Sequence, residues 1–180
     1  IEGLSKSPAI FDETKLRWMN AEYIRKLSPE EYIRHAEPYL EAAGCGHMDK
    51  AIFARILQPR TEVFTDITET VAFLAKMDED YSVDLYTNKK SKTNPEVCKT
   101  MLEAAIPMLE ALPQWTDETI HDGLVALAET LGVKNATLMW PVRIAAAGKL
   151  VTPGGAVEIC RILGRDETLR RLRAGLEKLA

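Results

Sequence analysis

The segment TDETIHDGLVALAETLG, residues 116–132, decides the fold class because it carries a complete helix signature. Thr116 belongs to the residue types that cap helix N-termini, and Gly132 to the type that ends helices. The apolar residues between them recur at the spacing of one helical face: Ile120, Leu124, Leu127 and Leu131. The segment therefore predicts an amphipathic helix that packs on a hydrophobic core.

Similar signals divide most of the chain into helices. The segment SPEE, residues 28–31, offers a cap, a first-turn proline and the acidic partner of a capping box, and its helix is expected to end near Gly44. Asn94 and Pro95 start another helix in the same way. Further helices are expected from Phe11 to Leu27, from near Asp49 toward Gln58, from Val63 to Leu74, from Trp140-Pro141 to Gly148, from Thr152-Pro153 to Gly164, and from Asp166 onward.

One segment interrupts this helical pattern. Residues 81–87 alternate apolar and polar side chains, which predicts a short strand, and the polar NKKSKTNP at residues 88–95 indicates a loop or subdomain boundary. About eight or nine modest helices with short connections predict an all-α, helical bundle-like fold. We divide it into residues 1–27, a first helical subdomain of residues 28–93 and a second of residues 94–180.

The composition is that of an ordinary globular protein. Hydrophobic residues make up 46% of the 180 residues and charged residues 28%, and no apolar run is long enough to cross a bilayer. A cytoplasmic protein without a membrane partner is therefore expected. The three cysteines, Cys45, Cys98 and Cys160, lie far apart, which favours reduced thiols over disulfides or metal ligands.

The charge argues against one class of nucleic-acid binder. A net charge of −4 does not suit a protein that binds any phosphate backbone, but it leaves open a protein that reads particular bases with a few arginines. Basic residues nevertheless cluster twice: Lys89, Lys90 and Lys92, and then Arg161, Arg165, Arg170, Arg171 and Arg173. The favoured interpretation of both clusters is a solvated loop or helix face.

Motifs of common enzyme classes are mostly absent. The sequence contains no Walker loop, GxGxxG, GxSxG or HExxH motif, and its three histidines, His35, His47 and His121, are dispersed. The segment LSKS, residues 4–7, looks like the end of the ATP-holding KMSKS loop of class I aminoacyl-tRNA synthetases. That loop serves a parallel α/β domain, which the helical pattern lacks. No catalytic residue, metal site or cofactor is therefore expected in this chain.

Two long segments nevertheless resemble one family. SKSPAIFDETKLRWMNAEYIRKL, residues 5–27, resembles the SKSPAVFD..KL.W.N..YIR segment of bacterial-type glutamyl-tRNA synthetases, downstream of their KMSKS loop. MWPVRIAAAGKLVTPGGAVEICRILGRDETLRRL, residues 139–172, resembles that family's pattern of PLR, then SP or TP, then LG and TL.RL. The resemblance implies the tail of the stem-contact region at residues 1–27, followed by the all-α anticodon-binding region of a class I aminoacyl-tRNA synthetase.

The resemblance also implies a function for a longer parent enzyme. Such a parent is a glutamate–tRNA ligase that uses ATP, with Mg, to join glutamate to tRNA(Glu), and tRNA(Gln) stays open as a second acceptor. Its catalytic domain would lie upstream of residue 1, so the fragment alone is expected to be inactive. The expected partner is tRNA and not DNA, and the expected parent is cytoplasmic and monomeric.

Several residues match the family's anticodon-reading positions: Arg60, Arg143, Thr152 and Pro153. In the family, arginine at the position matched by Arg60 is associated with accepting only tRNA(Glu), and glutamine with also accepting tRNA(Gln). A guanidinium suits this task because it donates to the acceptor edge of an unstacked cytosine. The alternative is that Arg60 is simply exposed at a helix start, and that Thr152-Pro153 only caps a helix.

The sequence departs from the family pattern at two positions. Trp140 stands where the family often has a small or polar residue, and Gly155 where a larger apolar residue usually follows. Trp140 could stack on a base or pack in the core. In the stem-contact segment the resemblance implies tRNA contacts for Arg17, Asn20 and Arg25, whereas packing between domains is the alternative.

Three functional hypotheses follow. The first is a tRNA-anticodon reader, and the second is a helical protein–protein scaffold without tRNA binding, which the acidic net charge favours. The third is a stand-alone enzyme, for which the sequence displays no site.

Overall fold

Local capping chemistry sets the helix ends in the computed structural model, which describes residues 12–180. Ser28 Oγ accepts a hydrogen bond from the Glu31 amide at 3.2 Å, and Glu31 Oε2 accepts one from the Ser28 amide at 3.0 Å. Thr116 forms a second capping box, with Thr119, and Asn94 Oδ1 accepts a 2.8 Å bond from the Val97 amide. These three predicted helix starts are confirmed. The segment 5–8, from which the resemblance begins, lies outside the described residues.

Nine α-helices occur in the described residues, so the all-α prediction is confirmed. They are α1 (Glu13–Arg25), α2 (Pro29–Ala42), α3 (Lys50–Leu57), α4 (Ile67–Ala75), α5 (Pro95–Glu110), α6 (Asp117–Thr130), α7 (Asn135–Ala147), α8 (Ala156–Leu163) and α9 (Arg165–Lys178). Single turns of 3₁₀ helix lie at Gln58–Arg60, Phe64–Asp66 and Val83–Tyr86. None of the helices in residues 12–180 has the length and apolar character of a membrane span.

The predicted strand at residues 81–87 is wrong, because Val83–Tyr86 is a 3₁₀ turn. Ser82 Oγ caps this turn by accepting from the Asp84 amide at 3.1 Å. The turn brings the hydroxyls of Tyr81 and Tyr86 to 2.7 Å from each other inside the core. Tyr81 and Tyr86 are therefore buried without a partner strand.

Three predicted helix starts in the C-terminal half are also wrong. Helix α7 begins at Asn135 rather than at Trp140-Pro141, because buried residues on both sides of Pro141 hold the helix against the core. Helix α8 begins at Ala156, one turn after Thr152-Pro153. Asp166 lies in the first turn of α9, whose cap position is Gly164.

Helices α5, α7 and α9 pack on one another in the core, and Gly175 lies where α9 comes close to α7. A Cβ atom added there would lie 2.7 Å from Ala145 Cβ, so α7 and α9 cross at a point that accommodates only glycine. Buried side chains from residues before and after 93 belong to one continuous core. The division into subdomains 28–93 and 94–180 stays a prediction.

The prediction that the C-terminal arginine cluster is solvated is wrong for Arg171, which is only 1% exposed. Its guanidinium donates to the carbonyl oxygens of Phe73, Leu74 and Ala146 at 2.8–2.9 Å, and its Nε lies 2.6 Å from Glu167 Oε1. A buried charge requires such partners, since an unpaired one is strongly destabilising. Arg171 thereby connects α9 to the end of α4 and to α7. The three cysteines are buried free thiols.

Candidate nucleic-acid interface

An open groove lies between the end of α3, the start of α4 and the loop that follows α7. Its volume is about 470 Å³. One side carries Arg60, Glu62 and Asp66, and the other carries Lys149, Thr152 and Pro153. The groove therefore brings together predicted anticodon residues that are far apart in the sequence.

Arg60 occupies the 3₁₀ turn that follows α3. Its Nη1 donates a 3.0 Å hydrogen bond to the Ile56 carbonyl oxygen, one turn earlier, and its side chain is exposed. This single bond orients the guanidinium and leaves its other donors available to a ligand. Arg60 thus follows the third helix and is exposed to solvent, and its contact with an anticodon base stays a prediction.

Arg143 contacts Thr152, which lines the other side of the groove. Arg143 Nη1 donates to Thr152 Oγ1 and to the Leu150 carbonyl oxygen, both at 2.9 Å. Thr152 Oγ1 in turn donates to the Gly154 carbonyl oxygen at 2.7 Å. Because the Thr152 hydroxyl serves these two partners, it fixes the loop and the arginine instead of capping α8.

The Trp140 ring packs against the guanidinium of Arg143. The Arg143 guanidinium lies 4.7 Å from the centre of the Trp140 ring, a cation–π distance. The indole Nε1 donates a 3.0 Å hydrogen bond to the Leu85 carbonyl oxygen, which fixes the plane of the ring. Trp140 is half-buried, so it packs and supports Arg143, and its proposed stacking on a base stays a prediction.

The Arg143 side chain is partly buried. Desolvation lowers the pKa of its guanidinium from the ordinary value, but an arginine side chain stays charged at neutral pH. Within residues 12–180, its Nε and Nη2 groups donate to no protein acceptor. Arg143 therefore presents free, oriented donors at the end of α7, beside the groove.

The residues assigned to stem contact lie at one junction, where α1 meets the segment that precedes α4. Arg17 pairs with Glu62 and Asp66, and Asn20 donates to the Glu62 carbonyl oxygen. Arg25 pairs with Glu22 and lies 3.5 Å from the Pro59 carbonyl oxygen. These contacts are those expected if the three residues pack between parts of the chain. A tRNA contact by any of them stays a prediction.

Sequence reasoning missed two features of the groove. One is Lys149, whose Nζ lies 5.4 Å from the centre of the Phe73 ring and which lines the groove beside Thr152. The other is the acidic side formed by Glu62, Asp66 and Glu69, where Arg17 partly neutralises the first two. The only sequence signal for Lys149 was its place between Arg143 and Thr152. The groove thus carries Lys149 along one edge, and Arg60 beside three carboxylates along the other.

Comparison with known families decides between the hypotheses. Residues 16–176 match the family model described as the anticodon binding domain. The chain belongs to the anticodon-binding domain family. This membership favours the tRNA-anticodon hypothesis over a helical protein scaffold or a stand-alone enzyme, and the groove residues lie within the matched range.

Curated relatives of this anticodon-binding domain are glutamate–tRNA ligases. The chain is 47% identical over 178 residues to the glutamate–tRNA ligase of Clostridium tetani and 46% identical over 182 aligned positions to that of Clostridium novyi. Each alignment covers 99% of this chain and 36% or 37% of the relative. The chain therefore spans little more than a third of the length of these ligases.

Solved structures support the fold independently. A glutamate tRNA ligase from Elizabethkingia meningosepticum, solved in complex with its amino acid, superposes with a TM-score of 0.78 over 94% of this chain and 33% of its own. A glutamate–tRNA synthetase from Elizabethkingia anophelis gives 0.75 over 93% of this chain and 32% of its own. At 21% identity, both comparisons establish the arrangement of the helices and nothing further.

Proposed function

We propose that this anticodon-binding domain belongs to a glutamate–tRNA ligase and binds the anticodon of tRNA(Glu) in the groove. Arg60 and Arg143 donate to base edges, and the loop of Thr152 and Pro153 packs against the bases. The longer ligase would join glutamate to the tRNA with ATP bound outside these residues.

The observation that carries the proposal is the convergence of Arg60 with the Arg143–Thr152 pair at one groove. A guanidinium group is suited to recognising a base, because it offers several donors in one plane to the acceptor edge of that base. Single-stranded loops are the part of an RNA in which base edges are accessible to side chains. The Glu69 carboxylate, on the acidic side, could accept from exocyclic amino groups of the same bases.

The charge distribution also suits a base reader better than a generic RNA binder. Acidic residues on one side of the groove repel phosphates, so a strand is favoured only when its bases point inward and its phosphates outward. This arrangement reconciles the net charge of −4 with RNA binding. Discrimination against tRNA(Gln) is part of the proposal, because Arg60 matches by resemblance the position that the family associates with strict choice.

Binding of labelled tRNA(Glu) and of an unrelated tRNA by the chain tests this function. Arg60→Ala and Arg143→Ala should each weaken tRNA(Glu) binding by roughly 5- to 150-fold, which corresponds to about 1–3 kcal/mol per base contact. Arg34→Ala is the matched control, because Arg34 is exposed on α2 and lines no part of the groove. Equal affinity for the two tRNAs, or for the three variants, would refute the proposal.

A further inference from the structure

A second basic surface lies away from the groove, on the loop Asn88–Thr93, which we call the lysine loop. Its three lysines, Lys89, Lys90 and Lys92, are exposed, and none of them forms an ion pair among the described residues. Lys134, at the cap position of α7, is also exposed. Eight lysine and arginine side chains elsewhere in the described residues form ion pairs.

Hydrogen bonds hold the lysine loop in one conformation. Asn88 and Thr93 exchange two backbone hydrogen bonds of 3.1 and 3.0 Å, and Asn88 Oδ1 accepts from the Ser91 amide at 2.9 Å. Thr137 Oγ1 of α7 donates to the Ser91 carbonyl oxygen at 2.7 Å, and both residues are buried. The loop is therefore fixed to α7, and its lysines project from a constrained backbone.

The backbone at Lys92 supports a role for its side chain. Its φ angle of +54° is in the left-handed region, where glycine and asparagine are favoured. A lysine at such a position is less favourable than either residue, and the described contacts give its side chain no packing or ion-pair role. A side chain kept at such a backbone position motivates a hypothesis of function.

The lysine loop is attached to α7 within six positions of Arg143. The Trp140 indole under Arg143 donates to the Leu85 carbonyl oxygen, and Thr137 holds Ser91, so residues 85–91 run along α7 toward its N-terminus. From Thr137 to Arg143 the helix rises about 9 Å.

The local charge favours a polyanion. Asp84 and Glu96 are the acidic residues that flank the loop in the sequence, and both are outnumbered by the three lysines and Lys134. The spacing of several ammonium groups on a rigid loop suits phosphates, which are contacted without regard to the base. An acidic protein surface would fit the charge alone, but it would not explain why the loop is attached to α7 so near Arg143.

We propose that the lysine loop is a second RNA-binding surface, which contacts backbone phosphates of the tRNA strand leading away from the bases in the groove. The inference rests on the proposed function, because it takes the RNA to be the one whose anticodon occupies the groove. The loop supplies affinity that does not depend on sequence, and Arg60 and Arg143 supply the choice of bases.

A charge-removal variant tests the loop. In it, Lys89→Gln and Lys90→Gln are combined with Lys92→Asn, since asparagine tolerates the left-handed backbone. At 0.1 M salt its binding of tRNA(Glu) should weaken at least fivefold, and the slope of log K against log salt should fall by about 1 for each phosphate that a lysine of the loop neutralises. The control combines Arg34→Gln, Lys76→Gln and Lys178→Gln, which removes the same charge from other elements and should keep the slope.

A second RNA separates backbone contacts from base contacts. The lysine-loop variant should bind both tRNA(Glu) and a transcript with changed anticodon bases more weakly by the same factor, whereas Arg60→Ala should affect only the former. The single variant Lys90→Gln, at a side chain that forms no hydrogen bond in the described residues, should show a smaller effect of the same kind if the triple variant unfolds.

The outcomes distinguish this inference from the proposed function. If the wild-type chain binds tRNA(Glu) selectively but the variant keeps its affinity and salt slope, the lysine loop is not an RNA surface, as expected if it meets an acidic protein instead. If the wild-type chain binds no tRNA, the proposed function fails and this inference fails with it.

Discussion

Arg143 donates a 2.9 Å hydrogen bond to Thr152 Oγ1, and this bond joins the end of α7 to the loop that lines the groove. The same hydroxyl donates its own proton to the Gly154 carbonyl oxygen at 2.7 Å. Thr152 is thus a positioning residue for Arg143. Its role explains why a helix-capping residue type precedes α8 without capping it.

Thr152→Val should weaken binding of tRNA(Glu) by roughly 2- to 12-fold, because a neutral hydrogen bond contributes about 0.5–1.5 kcal/mol. Valine keeps the shape of the side chain but leaves Arg143 Nη1 with only the Leu150 carbonyl oxygen. Thr152→Ser restores the hydroxyl and should restore affinity. Equal binding by the valine and serine variants, measured by fluorescence anisotropy, would show that Arg143 does not depend on this bond.

The predictable parts of the fold are those that depend on neighbouring residues. The capping box of Ser28 and Glu31 is complete within four positions, so sequence alone locates that helix start. The local sequence Trp140-Pro141 is typical of a helix start. Buried residues of α7 on both sides of it instead keep the helix continuous through Pro141. Local rules cannot anticipate such packing, because the partner side chains come from other helices.

The candidate site was predictable only in its residues and not in its geometry. Family resemblance supplied Arg60 and Arg143, yet the bond from Arg143 to Thr152 and the position of Lys149 depend on how the loop after α7 folds. The burial of Arg171 was missed for the same reason, since its carbonyl partner in Phe73 is 98 positions away. A charged residue beside other charges gives no sign that distant carbonyls surround it.

Gly175→Ala should destabilise the domain by about 1–3 kcal/mol, the usual range for overpacking a core. The new Cβ would lie 2.7 Å from both Ala145 Cβ and the Tyr86 hydroxyl. Helix propensity alone predicts the opposite sign, since alanine is favoured over glycine in a helix by about 0.5–1 kcal/mol. The midpoint of urea unfolding measures the difference.

Gly123→Ala on α6 is the matched control for Gly175→Ala. Its Cβ would meet Met108 Sδ at 2.8 Å, and this sulfur belongs to a flexible side chain that can move. Gly123→Ala should leave the free energy of unfolding nearly unchanged or increase it. A similar loss of stability in both variants would mean that the crossing of α7 and α9 is no tighter than an ordinary helix contact.

Glu167 should make the stability of the domain depend on pH in the acidic range. Hydrogen bonds from Arg170 and from Arg171 lower the pKa of its carboxyl from the ordinary value of 4.5 to about 2. A carboxyl with a depressed pKa in the folded state stabilises the fold fully above its unfolded pKa, and this contribution disappears as the pH falls toward the folded pKa. The loss should therefore occur between about pH 4.5 and pH 2.

Glu167→Gln tests this dependence, because glutamine resembles the protonated carboxyl. The difference in unfolding free energy between wild type and variant should be largest near pH 7 and should shrink below pH 4.5. Glu110→Gln, which removes an exposed ion pair with Arg173, should change stability by less than about 1 kcal/mol. A Glu167→Gln difference that stays constant from pH 7 to pH 3 would contradict the assignment.

Arg60→Gln should change the choice of tRNA more than the strength of binding. Glutamine is shorter and neutral, and it can both donate and accept, so it should meet a wider set of base edges than a guanidinium. Because the side chain is exposed and its one internal bond is to the Ile56 carbonyl oxygen, the substitution should leave the unfolding midpoint nearly unchanged.

The measurement is the ratio of the dissociation constants for tRNA(Gln) and tRNA(Glu). Wild type should favour tRNA(Glu), and Arg60→Gln should reduce the ratio by about fivefold or more, the effect of removing about 1 kcal/mol of base discrimination. Arg60→Lys keeps the charge but lacks the planar fork, so it should also reduce the ratio. If Arg60→Lys behaves as wild type, the side chain acts through charge on phosphate. Discrimination would then depend on other residues of the groove.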